Sequence, residues 1–306
     1  MDIPWDDLRL FLAVAETGSL SAAASRLRVA QPTVSRRLAE LEASVGEPLF
    51  ARGVSGATLT AFGERLLAPA RRMAEWAAEV ERAAEGAESA PTGTVRVTAA
   101  PGIAFEVLAP FAARLRTELP GVTLEVVSTV QYLDLSRREA DLALRTSRPA
   151  ARDLEVLASL SLVAVPYASR AYAAKVPRKA KPQDVDWIGW APPLDHLSPN
   201  PELTRLIPGW RPVFASDDFL VQQRACEEGL GALFLGRVRH EFCRDTGLVE
   251  LDIDLPEVPS AFHLVAAKSA LQIPRVRAVA ERLTTLIEGA DTGAPKAPRR
   301  QERRPR

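Results

Sequence analysis

Apolar residues recur along this chain at two different periods, and the change of period divides it. Leu8, Phe11, Leu12 and Ala15 fall at helical spacing, so an amphipathic helix is predicted there. Thr17-Gly18-Ser19 ends it. A short helix from Ala22 to Leu27 follows, with either Ser19 or Ser21 as the hydroxyl cap for its orphan N–H groups. Arg28-Val29-Ala30 is a tight turn, and Gln31-Pro32 opens a third helix, where proline's missing N–H costs nothing. Val34, Leu38, Leu41 and Val45 share one face of that helix; Thr33, Arg36, Arg37 and Glu40 share another. Pro48 to Leu59 holds Gly53 and Gly56 and reads as a two-stranded wing. From Thr60 to about Gly86 a long helix is predicted, and Leu59, just before it, with Phe62, Leu66, Ala70, Met73, Ala77, Val80 and Ala84 recur in steps of three and four. That stripe either packs on the preceding helices or pairs with a second subunit.

Past Pro91 and Gly93 the pattern changes. Val95, Val97 and Ala99 alternate as a strand does, and Leu108, Phe111, Ala112, Leu115 and Leu119 return to helical spacing. Further strands are predicted at 122–127, 142–144, 162–165, 187–190, 213–215, 232–235 and 262–267, with helices at 132–138, 218–228 and 273–288. Strands alternating with helices imply a mostly parallel sheet with crossover helices.

Composition narrows the function classes. A length of 306 residues with 47% hydrophobic content is enough for about two packed domains. A formal net charge of zero argues nothing about nucleic acid, but eight arginines against four glutamates lie between residues 26 and 72. Cys226 and Cys243 belong to no C-x-x-C pair and point to a reducing compartment. The N-terminus lacks a basic-then-apolar leader and no apolar run has membrane-spanning length, so a soluble cytoplasmic protein is expected. His196, His240 and His263 lack ligand-like spacing, and no phosphate-cradling glycine loop is present. Neither an enzyme, a cofactor nor a metal is therefore expected.

A helix that hides aliphatics on one side and shows Thr and Arg on the other suits an anionic surface, and double-stranded DNA is the natural candidate. The series Ser19-Leu20-Ser21-Ala22-Ala23-Ala24, Gln31-Pro32-Thr33-Val34-Ser35-Arg36, Leu41-Glu42, Gly46, Pro48-Leu49-Phe50, Arg52 and Leu59-Thr60-Ala61-Phe62-Gly63 resembles the N-terminal domain of LysR-type bacterial transcriptional regulators. Ala30 departs from it, standing where such sequences often carry a small hydroxyl residue. The later segments Thr94-Val95-Arg96-Val97, Asp141-Leu142-Ala143-Leu144-Arg145, Pro166-Tyr167, Gly229-Leu230-Gly231 and Pro274-Arg275-Val276-Arg277-Ala278 are similar to the family's effector domain.

The resemblance implies an all-α winged helix-turn-helix domain (1–62), a linker and dimerisation helix (63–90), and an α/β two-lobed effector domain (91–290) like the type 2 periplasmic binding proteins. The first lobe is expected at 92–160 with 265–290 and the second at 161–264, and the tail 291–306 reads as disordered. The tail arginines either touch DNA or form a solvated end. The resemblance further implies a homodimer through residues 59–84, a homotetramer in the working form, and contact with RNA polymerase. A constitutive DNA-binding protein without a ligand remains open, as does a solute-binding module merely dimerised by the N-terminal helices.

For DNA, Gln31, Thr33, Arg36 and Arg37 are the candidates near base edges, with Ser21, Ser35 and Arg52 on phosphate and Pro32 also on the DNA-binding side; each arginine is otherwise a solvated surface charge. In a two-lobed α/β domain, ligands bind at the carboxyl ends of strands, beside helix N-termini. That singles out Ala100, Pro101 and Gly102, then Ser128 and Thr129, then Arg145, with Phe214, Ser216 and Asp217 in the other lobe. Position 128 matches where family members often place an effector-holding hydroxyl, though Ser128 is equally a helix cap. Arg145 either clamps a carboxylate of a small anionic effector or pairs with a nearby acid.

Overall fold

The computed structural model describes residues 3–53, 56–84 and 90–292. The chain forms two units, Met1–Ser89 and Ala90–Arg306. In the first, α1 (Trp5–Thr17) closes on Gly18 in the left-handed conformation, and α2 (Leu20–Leu27) begins under Ser19, whose Oγ accepts from the Ala22 N–H at 3.4 Å. Ser19 is thus the cap, and Ser21 lies exposed on the helix. Arg28 turns the chain at φ 55° into α3 (Gln31–Val45), which starts at Ala30 with no side-chain cap. Phe11, Val14, Ala23, Val34, Leu38, Leu41, Leu49 and Phe50 form the core of this bundle. The wing is the antiparallel pair β1 (Phe50–Gly53) and β2 (Gly56–Leu59); Val54 and Ser55 lie outside the described residues.

Thr60 starts α4 (Ala61–Ala84) by accepting from the Gly63 N–H at 3.1 Å. Gly63 is there for clearance, since a Cβ on it would come within 2.3 Å of the Leu49 carbonyl oxygen. Gly63→Ala is therefore expected to cost about 1–3 kcal/mol through forced separation of α4 from the wing. A thermal melt showing no loss would refute this close contact. The heptad-like stripe divides in two. Phe62, Leu66 and Ala70 pack on the helix-turn-helix core, whereas Met73, Trp76 and Val80 are exposed, Val80 at 66%. Gly86 and the side chain of Ala84 lie outside the described residues.

The second unit runs β3 (Gly93–Ala99), α5 (Pro101–Ile103), a π turn (Ala104–Leu108), α6 (Ala109–Glu118), β4 (Val122–Ser128), β5 (Leu142–Arg145) and β6 (Leu154–Ser169). Then come α7 (Arg170–Ala173), β7 (Ile188–Trp190), α8 (Asn200–Leu206), β8 (Phe214–Ser216) and α9 (Phe219–Glu227). It closes with β9 (Leu233–Gly236), β10 (Leu248–Glu250), β11 (Val258–Ala267) and α10 (Pro274–Gly289).

The main sheet has the order β10-β6-β11-β5-β3-β4, with β9 also on β6. β3 is parallel to β4 and β5, but β6, β9, β10 and β11 pair antiparallel, so the sheet is mixed rather than mostly parallel. The cause is that β6, sixteen residues long, and β11 run side by side as continuous crossover strands serving two cores. One core gathers Phe111, Leu142, Leu264, Val276 and Leu283; the other gathers Trp187, Leu203, Phe234 and Ile253.

The helix expected at 132–138 is a set of turns instead. Asp134 Oδ1 accepts from the N–H groups of Ser136 and Arg137, a local bond that competes with helix. Of the tail, residues 293–306 lie outside the described residues, while Asp291 exchanges backbone hydrogen bonds with Arg239. Among the described residues no helix is long and apolar enough to cross a membrane.

Candidate nucleic-acid interface and ligand cleft

The exposed side of α3 follows from what its other side buries. Val34, Leu38 and Leu41 are turned fully into the bundle. Gln31, Pro32 and Arg36 are then left exposed, with Thr33 and Ser35 half-buried beside them. The Arg36 side chain is 71% exposed and pairs with Glu40 at 3.6 Å, an i,i+4 pair in water. Such a pair contributes only ~0.3–0.5 kcal/mol, so the guanidinium is readily given up to another anion.

Arg37 behaves differently, and the expected pair separates. Its Nε donates to Asp7 Oδ1 at 2.8 Å and its side chain is only 32% exposed. One residue further along a helix is a rotation of about 100°, which carries Arg37 onto the shoulder facing α1. There it ties the N-terminal turn of α1 to α3 and is not displayed beside Arg36. Asp7, the partner that redirects it, was hidden from sequence reasoning because it is thirty residues distant. Val29, 43% exposed in the turn before α3, is a further apolar group on this surface that the pattern did not single out. Arg52 is in β1, and its side chain lies outside the described residues.

In the second unit, register brings three of the expected segments to one sheet edge. Ala99 pairs with Ser128 on one side and with Leu144 on the other, so Ala100, Ser128 and Arg145 end neighbouring strands. The Thr129 N–H donates to the Ala99 carbonyl at 2.9 Å. Ser128 is exposed and the chain beyond it is not helical, which removes the helix-cap reading. Arg145 is 9% exposed, its Nη2 donates to the Leu133 carbonyl, and its guanidinium lies 5.0 Å from the Tyr132 ring centre. Its Nε is buried without a hydrogen-bond partner, and no carboxylate pairs with it among the described residues. Burial lowers the Arg145 pKa, with Tyr132 and Asp134 acting in the opposite direction. A buried donor left unmade is costly, so Arg145 holds an unmet demand for an acceptor at the end of β5.

The residues expected from the other lobe do not join this edge as a set. Phe214 packs against the core of Ile188, Cys226 and Leu233, because β8 alternates and turns Ala215 outward and Phe214 inward. Ser216 is committed to the start of α9: its Oγ accepts from the Asp218 N–H and its carbonyl from Gln222. Asp217 is exposed. Asp218 itself caps α9 through the Leu220 N–H at 2.7 Å, so that helix end already holds its own carboxylate. A neighbouring residue, Phe219, does meet the first lobe at Gly102. A Cβ on Gly102 would stand 2.7 Å from its ring, which explains glycine at 102. Cys226 is buried, and burial pushes its thiol up to about 12, far from a reactive thiolate. Among the described residues no cluster of metal ligands occurs.

Comparison with known proteins follows the same division. The family described as "Bacterial regulatory helix-turn-helix protein, lysR family" matches residues 5–64, and "LysR substrate binding domain" matches residues 88–287. The Mau operon transcriptional activator of Paracoccus denitrificans is 28% identical over 231 residues, 76% of this chain and 78% of that protein. The structure of CrgA, a LysR-type regulator from Neisseria meningitidis, aligns at 25% identity and TM-score 0.50 over 94% of this chain and 99% of that one. Full-length CbnR in complex with its target DNA shares the fold at TM-score 0.58 and 20% identity, over 93% and 100% of the two chains.

Proposed function

Because the chain belongs to the LysR family of bacterial transcriptional regulators, we propose that α3 enters the major groove of an operator with Gln31, Thr33 and Arg36 at base edges. The proteins it matches are regulators, not enzymes. One observation carries the reading: α3 buries Val34, Leu38 and Leu41 and leaves Gln31, Pro32 and Arg36 outward. Ser21, on α2, and Ser35 are assigned to backbone phosphate, as is Arg52 on the wing. Met73 and Val80, exposed on the distal half of α4, support pairing of two subunits so that two α3 helices meet successive grooves.

The test is a fluorescence-anisotropy titration against operator DNA. Arg36→Ala should weaken binding by about 1–3 kcal/mol and relax preference at one base pair. Arg37→Ala should leave sequence preference intact and instead lower stability by about 1 kcal/mol, through the lost Asp7 hydrogen bonds. Uniform weakening by Arg36→Ala across all sequences would reassign that residue to phosphate. Unchanged affinity would remove it from the interface.

The second unit is read as the sensor of a small anionic metabolite, held at the edge formed by Ala100, Gly102, Ser128, Thr129 and Arg145. The guanidinium charge of Arg145, at the end of the strand next to the one that leads into Ala100, supports an anion there. In physical terms such a ligand changes regulation only by binding one arrangement of the protein better than another. Calorimetry with a panel of small carboxylates should give heat with the native protein and none with Arg145→Met. Binding confined to neutral or cationic compounds would overturn the anionic assignment.

A further inference from the structure

The stretch between β9 and β10, residues 237–247, is rooted at both ends in the second lobe. β9 pairs with β6 at Ala164–Tyr167 and β10 at Tyr167–Ser169. Its middle, however, lies on the first lobe. Arg239 exchanges two backbone hydrogen bonds with Asp291, beyond α10. Glu241 pairs with Arg114 of α6, and Phe242 packs against the first core with its ring 5.3 Å from the Arg114 guanidinium. Arg244 donates its Nε to both carboxylate oxygens of Glu106, at 3.1 and 3.2 Å, and lies 4.7 Å from the Phe105 ring. Phe105 and Glu106 occupy the π turn, where the extra residue per turn is the local departure from α-helix; such turns recur at functional positions. At the start of the same helical run, Phe219 of the second lobe touches Gly102.

We propose that residues 237–247 form a strap fastening the second lobe to the first, and that the Glu106–Arg244 pair is its releasable clasp. The two lobes have separate cores joined by β6 and β11, so relative motion is resisted chiefly by what bridges them elsewhere. Phe242 is the apolar anchor. Arg244 is half exposed, and an ion pair in contact with water is cheap to open, which makes it the part that can let go. The strap thereby sets how often the lobes part. This role is independent of whether any ligand enters the cleft.

The test is energy transfer in the full-length protein without ligand. Dyes are placed on cysteines at Arg116 and Arg205, one in each lobe, with Cys243→Ser, and labelled subunits are diluted into unlabelled ones. Glu106→Gln and Arg244→Gln should each raise the ratio of open to closed lobes by roughly two- to five-fold. The charge exchange Glu106→Arg with Arg244→Glu should restore the native ratio, which loss of packing alone would not do. Gly102→Ala, acting on Phe219 at the far end of the helix, should also lengthen the distance. Unchanged transfer in Glu106→Gln overturns the proposal whatever Gly102→Ala does, as does failure of the exchanged pair to restore it.

Discussion

Phe11→Ala is expected to lower the stability of the first unit by about 3–5 kcal/mol and to abolish operator binding at ordinary temperatures. The Phe11 ring is completely buried and meets Phe50 at 5.5 Å, so it joins α1 to the first strand of the wing while α3 packs alongside. Truncation removes the transfer energy of the ring and leaves a cavity that a three-helix bundle cannot close without shifting α3. Domains are stable by only ~5–15 kcal/mol, so this loss is a large fraction of the whole. Differential scanning calorimetry should show the transition of the first unit falling while that of the second stays in place. A first-unit transition unmoved by the substitution would show that Phe11 is not the centre of this core.

Phe111→Ala is the counterpart in the second unit, with a similar expected cost of about 3–5 kcal/mol. Phe111 is fully buried on α6, within the core that also holds Leu142, Leu264 and Leu283. The same side chain lies beneath Arg114, which carries the contact to Glu241 and Phe242, so the substitution should also loosen residues 237–247. Here the second transition should fall. The exposed residues of α3 are untouched, and the purified variant at low temperature should retain the native base preference. Equal shifts of both transitions would contradict two separately cored units.

Much of the first unit was legible because its information is local. The spacing of Val34, Leu38 and Leu41 determines which side of α3 is buried, and Gln31, Pro32 and Arg36 are then left outward. The glycine stop at Gly18 and a hydroxyl cap at Ser19 or Ser21 depend on neighbours a few positions away, and the structure selects Ser19. The heptad-like stripe was legible as a stripe only. That its first half packs on the bundle and its distal half stays exposed depends on where the bundle ends, which no periodicity records. Tyr132 to Arg138 failed for a local reason too: Asp134 offers the backbone a competing partner that apolar spacing does not register.

Chain order and hydrophobic period by themselves determined the two-part organisation, the helix-turn-helix with its wing, the outward side of α3, and the strand ends where Ala100, Ser128 and Arg145 come to lie. Those features rest on contacts among near neighbours or on the alternation of strand and helix. The tertiary structure alone decided that Arg37 is held by Asp7, that Phe214 belongs to a core, that Phe219 closes on Gly102, and that Arg244 reaches Glu106. Each of these joins residues far apart in the chain. Their meeting is set by how whole elements pack, because a side chain's charge or size says what it needs and not which distant partner supplies it.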